Sequence, residues 1–75
     1  MPAFYPGRSF PLGARLSRYR SHRGVNFSLY SAGSTGVDLL LFDQVDDSLP
    51  SRIISLDPGR NRTFHYWHVF VPGIK

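Results

Sequence analysis

Apolar and polar residues alternate along short runs of the chain, with the two-residue period of a β-strand. Val25, Phe27 and Leu29 occupy every second position of the run 24–30, so this run predicts a strand with one buried face. The run VDLLLF (37–42) is apolar at both sets of alternate positions. We expect it to be a strand that is covered on both sides.

Two further runs predict strands at residues 52–56 and at about 64–71. In the second of these runs, the alternation divides the side chains into two sets: Phe64, Tyr66, His68 and Phe70 on one face, and His65, Trp67, Val69 and Val71 on the other. Turn-forming segments separate the four runs at roughly ten-residue spacing. The pattern therefore predicts an antiparallel β-sandwich.

The first part of the chain shows no regular period. It mixes glycine and proline with isolated apolar residues, which favours irregular structure. We expect an irregular N-terminal arm over residues 1–23 and a β-sandwich domain over residues 24–75.

The composition narrows the class of protein. The chain has 75 residues and a net charge of +4, with no cysteine and no glutamate. Without cysteine, disulfides and thiolate metal sites are excluded. No apolar run is long enough to span a membrane, and the N-terminus lacks the basic-then-apolar order of a signal peptide. We therefore expect no membrane association and a cytoplasmic or plastid location.

Three blocks of sequence carry a resemblance to a known family. They are FPLGARL (10–16), GVNFSLYSAGSTGVDLLLFD (24–43) and ISLDPGRNRTFHYWHVFVPGI (54–74). In this order and spacing they resemble the N-terminal domain of isoamylase-type debranching enzymes of glycoside hydrolase family 13, above all its plant and cyanobacterial branch. The resemblance implies an early-set, immunoglobulin-like β-sandwich, classed as carbohydrate-binding module family 48.

The resemblance also implies a function. In that family the domain packs on a catalytic (β/α)8 barrel that hydrolyses α-1,6-glucosidic bonds, and it helps to position branched α-glucans such as glycogen and starch. It implies weak glucan binding, no cofactor, and no catalysis by this chain alone. A purely structural interdomain module that touches no sugar is an alternative.

The family usually continues from the Pro72-Gly73 turn into a further strand. We expect that strand to pair with the run 64–71, so the sequence predicts a sandwich that is truncated at this edge. An unpaired edge, together with an uncovered apolar face around Trp67, Val69 and Val71, favours self-association.

The aromatic run supplies the candidate binding residues. Trp67, Tyr66 and His65 could stack on a sugar ring and bond its hydroxyl groups, although burial in the core or at a domain seam is the simpler explanation for Trp67. Tyr30 has the same two interpretations. The candidates for packing against a neighbouring domain are Pro11, Leu12, Gly13, Ala14 and His68.

Catalytic and metal sites are not expected. Retaining glycosidases need a pair of carboxyl groups about 5.5 Å apart, one of them with a raised pKa, whereas Asp43, Asp46 and Asp47 sit in one exposed loop and suit turn formation. On a strand, His65 and His68 are three positions apart and point to opposite faces, so they cannot chelate one metal ion.

The arginine-rich segment supports a rival function. The stretch RLSRYRSHR (15–23) places an aromatic residue among basic ones, as nucleic-acid-binding proteins often do. A small basic β-barrel that binds nucleic acid is therefore the second hypothesis, with Arg18 and Arg20 as its test residues.

Overall fold

The computed structural model describes residues 4–42, 44 and 46–73. Over these residues the chain forms six strands and no helix: β1 (Gly13–Tyr19), β2 (His22–Tyr30), β3 (Val37–Leu41), β4 (Arg52–Leu56), β5 (Arg62–Thr63) and β6 (Tyr66–Pro72). The first sheet has the order β1-β2-β6-β5, and the second consists of β3 and β4; all pairs are antiparallel. The predicted all-β antiparallel sandwich is confirmed.

The core lies between β4 and β6. Ile54 and Leu56 of β4 pack against Trp67, Val69 and Val71 of β6, and the last three have no exposed surface. Partly buried side chains surround this cluster: Phe4, Phe27, Val37, Leu39 and Leu41. The prediction of an uncovered apolar face on β6 is wrong, because β4 covers it.

The opposite face of the first sheet is polar and holds the N-terminal segment, residues 5–9. The Asn26 side chain forms two hydrogen bonds with the backbone of Arg8. The Arg8 N–H donates to Asn26 Oδ1 (2.8 Å), and Asn26 Nδ2 donates to the Arg8 carbonyl (3.0 Å). Ser28 Oγ donates to the carbonyl of Ser9 at 2.7 Å. Asn26 and Ser28 are each only 4% exposed, so these bonds satisfy groups that water cannot reach.

His68 of β6, the strand next to β2, also binds the N-terminal segment. Its Nδ1 lies 2.6 Å from the Pro6 carbonyl, and its Nε2 lies 2.9 Å from Thr63 Oγ1. Because a carbonyl only accepts, the hydrogen-bond network assigns the proton to Nδ1. Between these contacts Gly7 has φ +75°, and a Cβ there would come within 2.6 Å of Asn26 Oδ1. Glycine is therefore required for this close approach.

The far edge of β6 is covered in two places. Tyr5 and Phe70 exchange both backbone hydrogen bonds, at 2.8 and 2.9 Å. Asn61 accepts the N–H of His68 at 2.8 Å and returns a side-chain bond from Nδ2 to the His68 carbonyl at 3.0 Å. The prediction of an open edge along the aromatic strand is wrong, and the expected self-association through that edge loses its basis.

The prediction of an irregular arm is wrong for its second half. β1 pairs with β2 from Gly13↔Ser28 to Tyr19↔His22. Alternation does not reveal this strand because β1 lies at an edge and none of its residues is fully buried: Leu16 is 79% exposed. A strand whose two faces both meet solvent has no reason to alternate.

Two further strand predictions need correction. Leu40 and Phe42 are each 47% exposed, so the run 37–42 is covered on one side only. The run 64–71 is not one strand, because Phe64 and His65 form the turn of a hairpin that joins β5 to β6. From Tyr66 onward the predicted division of the faces is confirmed.

We expect Asn26→Ala to lower the free energy of unfolding by about 1–3 kcal/mol, because the N–H and C=O of Arg8 lose their partners. Urea denaturation followed by tryptophan fluorescence measures the change. Ser55→Ala is the matched control at an exposed position of β4, and we expect it to stay within about 0.5 kcal/mol of the parent chain. Equal effects of the two changes would contradict the docking role of Asn26.

Candidate functional site

Four aromatic side chains meet at one end of the first sheet. Tyr30 ends β2 directly opposite Tyr66, which begins β6, and their rings meet edge to face at 5.2 Å. The His65 ring in the turn meets the Tyr30 ring edge to face, with 5.8 Å between the ring centres. The centres of the Phe64 and His65 rings lie 3.9 Å apart, and the planes of the two rings are inclined by 42°. We call Tyr30, Phe64, His65 and Tyr66 the aromatic patch.

The aromatic patch is anchored but accessible. The N–H of Ser31 donates to the carbonyl of His65 at 2.9 Å and ties the turn to the end of β2. Tyr30 is 53% exposed and Phe64 is 72% exposed, while His65 and Tyr66 are half-buried. The patch therefore presents aromatic surface to solvent, above all from Phe64 and Tyr30.

The chemistry of this surface suits a neutral, hydroxylated ligand. An aromatic ring carries partial negative charge on its face, which attracts the polarised C–H groups of a sugar ring. Tyrosine hydroxyls and the histidine ring add hydrogen-bond donors and acceptors. The patch is a surface rather than a cleft, so it would bury little of a ligand and bind it weakly.

The structure separates the three predicted sugar-binding residues. Tyr66 and His65 lie in the aromatic patch, and their role stays a prediction. Trp67 is fully buried in the core, so its ring is closed to a sugar and this part of the prediction is wrong. The guanidinium of Arg62 lies 5.5 Å from the centre of the Trp67 ring, and Trp67 Nε1 is buried without a hydrogen-bond partner.

The surface position of Phe64 is not evident from the sequence pattern. Alternation assigned this residue to a strand, because no glycine or proline marks the turn at Phe64 and His65. Thr63 pairs directly with Tyr66, which leaves a two-residue loop. Two-residue loops favour glycine or asparagine. Because neither residue occurs at positions 64 and 65, the sequence gives no signal of a turn there.

The predicted packing residues fall into two groups. Leu12, Gly13 and Ala14 are exposed and Pro11 is half-buried. His68 is only 6% exposed, and both of its ring nitrogens are engaged inside the chain, so it is not available to a neighbouring domain. The prediction for His68 is wrong, because the N-terminal segment takes the place that we assigned to another domain.

The exposed packing residues continue into a larger apolar surface. Phe10 is 77% exposed, Leu12 48% and Leu16 79%. We call Phe10, Leu12 and Leu16, with Ala14 between them, the packing surface. Ala14 and Leu16 are alternate residues of the edge strand β1, and Phe10 and Leu12 lie in the segment that leads into it.

The aspartates of the loops act in turns. Asp47 Oδ2 accepts the N–H of Gln44, and Asp57 Oδ1 accepts the N–H of Gly59, both at 3.0 Å. Asp43 lies outside the described residues. Among the residues that the structure describes, no group of three metal-ligating side chains comes together, and no helix could cross a membrane.

Three residues of the arginine-rich stretch lie at the other end of the first sheet: Arg18, Arg20 and Arg23. The guanidinium of Arg20 lies 5.2 Å from the centre of the Tyr19 ring. Tyr5, His22 and Phe70 complete the ring cluster there. The cavity beside this cluster measures about 140 Å³, below the roughly 300 Å³ at which small-molecule pockets begin.

Comparison with known proteins agrees with this architecture. The family model described as Carbohydrate-binding module 48 (Isoamylase N-terminal domain) matches residues 11–75. The chain belongs to carbohydrate-binding module family 48. The early-set, immunoglobulin-like fold class predicted from the sequence is thereby confirmed.

Individual relatives are much longer than this chain. It is 43% identical over 75 residues to a glycogen debranching enzyme of Serratia proteamaculans, covering 100% of this chain and 10% of that protein. It is 40% identical over 74 residues to Isoamylase SU1, chloroplastic, of Zea mays, covering 89% of this chain and 8% of that protein. A glycogen operon protein GlgX homolog of Mycobacterium tuberculosis is 35% identical over 74 residues, or 99% of this chain and 9% of that relative.

We expect Trp67→Ala to lower the free energy of unfolding by about 3–5 kcal/mol, because it empties a large volume of the core. Tyr30→Ala removes a half-exposed ring, and we expect a loss of about 1 kcal/mol or less. Thermal unfolding followed by circular dichroism compares the two. Similar losses for both variants would contradict the assignment of Trp67 to the core and Tyr30 to the surface.

Proposed function

We propose that this chain is the N-terminal carbohydrate-binding-type domain of a glycogen- or starch-debranching enzyme. The observation that carries the proposal is the exposed aromatic patch on a member of this family. The names of the relatives, glycogen debranching enzyme and isoamylase, support the same enzyme context. The hydrolysis of α-1,6-glucosidic bonds belongs to a barrel domain outside this chain.

The aromatic patch would contact an α-glucan chain through its exposed rings. Tyr30 and Tyr66 meet edge to face, so the two rings offer differently oriented faces to the curved surface of a glucan. His65 supplies ring nitrogens beside them for hydroxyl groups. The role of the domain is to hold a branched glucan near the active site, where weak binding is enough because the two domains are linked.

The packing surface would contact the catalytic domain. Phe10, Leu12 and Leu16 offer apolar area that a second domain could bury. The register places Arg18 directly opposite Arg23 at the end of the same strands. Like charges in this arrangement destabilise a sheet, and a carboxylate from the neighbouring domain would offset that repulsion.

The location follows the proposed enzyme. The names of the plant relatives place those proteins in the chloroplast. For this chain we infer either the cytoplasm or the plastid, where glycogen or starch is stored.

Nucleic-acid binding is the second candidate, and one observation favours it. Within residues 4–42, 44 and 46–73 none of the five arginines of the N-terminal third forms an ion pair: Arg8, Arg15, Arg18, Arg20 and Arg23. Guanidinium groups at this end of the sheet, one of them over the Tyr19 ring, could contact phosphates and bases. The family membership and the aromatic patch at the opposite end favour the glucan.

We expect the chain to bind maltoheptaose with a dissociation constant of about 1 mM, corresponding to about −4 kcal/mol. Tyr66→Ala should remove this binding, while Tyr19→Ala, at the far end of the sheet, should retain it. Isothermal titration calorimetry measures the affinity at 50 and 200 mM salt. The glucan is uncharged, so we expect less than a twofold change.

An oligonucleotide distinguishes the second candidate in the same titration. A protein that neutralises two phosphates loses about tenfold in affinity over this fourfold rise in salt. Tight, salt-sensitive oligonucleotide binding that disappears in Arg18→Ala/Arg20→Ala, without any maltoheptaose binding, would overturn the proposed function.

We expect Leu16→Asn to leave the stability of this chain unchanged, because the side chain is already 79% exposed. In a longer polypeptide that includes the catalytic domain, the same change should lower the free energy of unfolding by about 1.5–3 kcal/mol, the value of burying a leucine. Leu49→Asn is the matched control, since Leu49 is 78% exposed and lies outside the packing surface. Equal effects of both changes in the longer protein would exclude the packing role.

A further inference from the structure

Phe64 has a backbone conformation that is costly for its residue type. Its φ is +57°, and it is the first of the two turn residues between β5 and β6. In L-residues this region brings Cβ close to the following carbonyl oxygen. For a bulky side chain it is an outlier, and two-residue hairpin turns normally place glycine, asparagine or aspartate at a positive φ.

At three other positions with a positive φ the chain carries glycine. Gly7, Gly13 and Gly73 all have positive φ and carry no Cβ penalty. A glycine at position 64 would form this turn at lower cost. The presence of phenylalanine there therefore needs a reason outside the turn itself.

Packing does not supply that reason. The Phe64 side chain is 72% exposed, so it contributes little burial to the core. Its ring contact is with its own neighbour, His65, at 3.9 Å. That contact lies within the turn, so burial in the sandwich does not explain the phenylalanine.

Arg20 is the second non-glycine residue with a positive φ among the residues that the structure describes. It has the same φ, +57°, in the turn between β1 and β2 at the opposite end of the sheet. Its guanidinium lies over the adjacent Tyr19 ring at 5.2 Å, so its side chain is engaged within the chain. Arg20 is therefore a matched control for the strain of Phe64.

We propose that Phe64 is a direct ligand contact, held outward by the strained turn so that its ring stacks on a glucose unit of a bound α-glucan. It forms the outermost ring of the aromatic patch and continues the surface of His65, Tyr30 and Tyr66. Backbone strain that persists in a folded protein is concentrated at sites of function. The inference rests on the proposed function and adds to it a role for the strained turn, which holds the Phe64 ring at the binding surface.

Three substitutions separate the ring from the strain. Phe64→Gly removes both, Phe64→Ala removes the ring and keeps the positive-φ penalty, and Phe64→Tyr keeps both. We expect the melting temperature of Phe64→Gly to exceed that of Phe64→Ala by about 4 °C or more. We expect both to bind maltoheptaose about 5- to 10-fold more weakly than the parent chain, and Phe64→Tyr to stay within about twofold of it.

The controls are Arg20→Gly and Tyr66→Ala. Arg20→Gly relieves strain at the other turn, and we expect its maltoheptaose affinity to match the parent chain. Binding by Phe64→Gly at parental affinity, together with loss in Tyr66→Ala, would overturn the contact role of Phe64 and leave the proposed function standing. No maltoheptaose binding by the parent chain itself would overturn the proposed function and this inference with it.

Discussion

The pairing of β2 with β6 is the interaction on which the rest of the structure depends. Its register gives the central pair two unlike faces: Val25, Phe27, Val69 and Val71 on one side, and Asn26, Ser28, His68 and Phe70 on the other. The apolar face receives β4, and the polar face receives the N-terminal segment. A slip of one residue would exchange the faces and bury the polar set against β4. The sandwich and the docked segment therefore require the same register.

The polar residues on this face of the β2–β6 pair bind the N-terminal segment. Asn26, Ser28 and His68 are all nearly buried, and each bonds a backbone atom of the N-terminal segment. Such bonds contribute about 1 kcal/mol each, but leaving one of these groups without a partner costs about 1–3 kcal/mol. They therefore fix where the segment lies more than they add to stability. Since Tyr5 in that segment also pairs with β6, the same contacts cover the edge of the sheet.

The sequence predicted the fold better than it predicted the site, for one physical reason. Alternation reports which side chains share a face, so it found β2, β3 and β4 and placed Trp67 with Val69 and Val71. It does not report what covers a face, so Trp67 kept a sugar-binding interpretation that burial excludes. Alternation gives no signal where a strand has no fully buried side chain, as in β1. It also missed the turn at Phe64, where a phenylalanine occupies a position that suits glycine.

The length of β2 separates the two candidate binding sites, the aromatic patch for a glucan and the Arg20 turn for nucleic acid. β2 runs from His22, beside the Arg20 turn, to Tyr30 in the aromatic patch, and at about 3.4 Å per residue these ends lie roughly 27 Å apart. The Debye length at physiological ionic strength is about 8 Å, so the charge of the Arg20 turn is screened long before it reaches the patch. A neutral ligand at the rings and an anionic partner at that turn would thus be bound independently. The charges of Arg18, Arg20 and Arg23 therefore contribute little to the electrostatic potential at the binding surface.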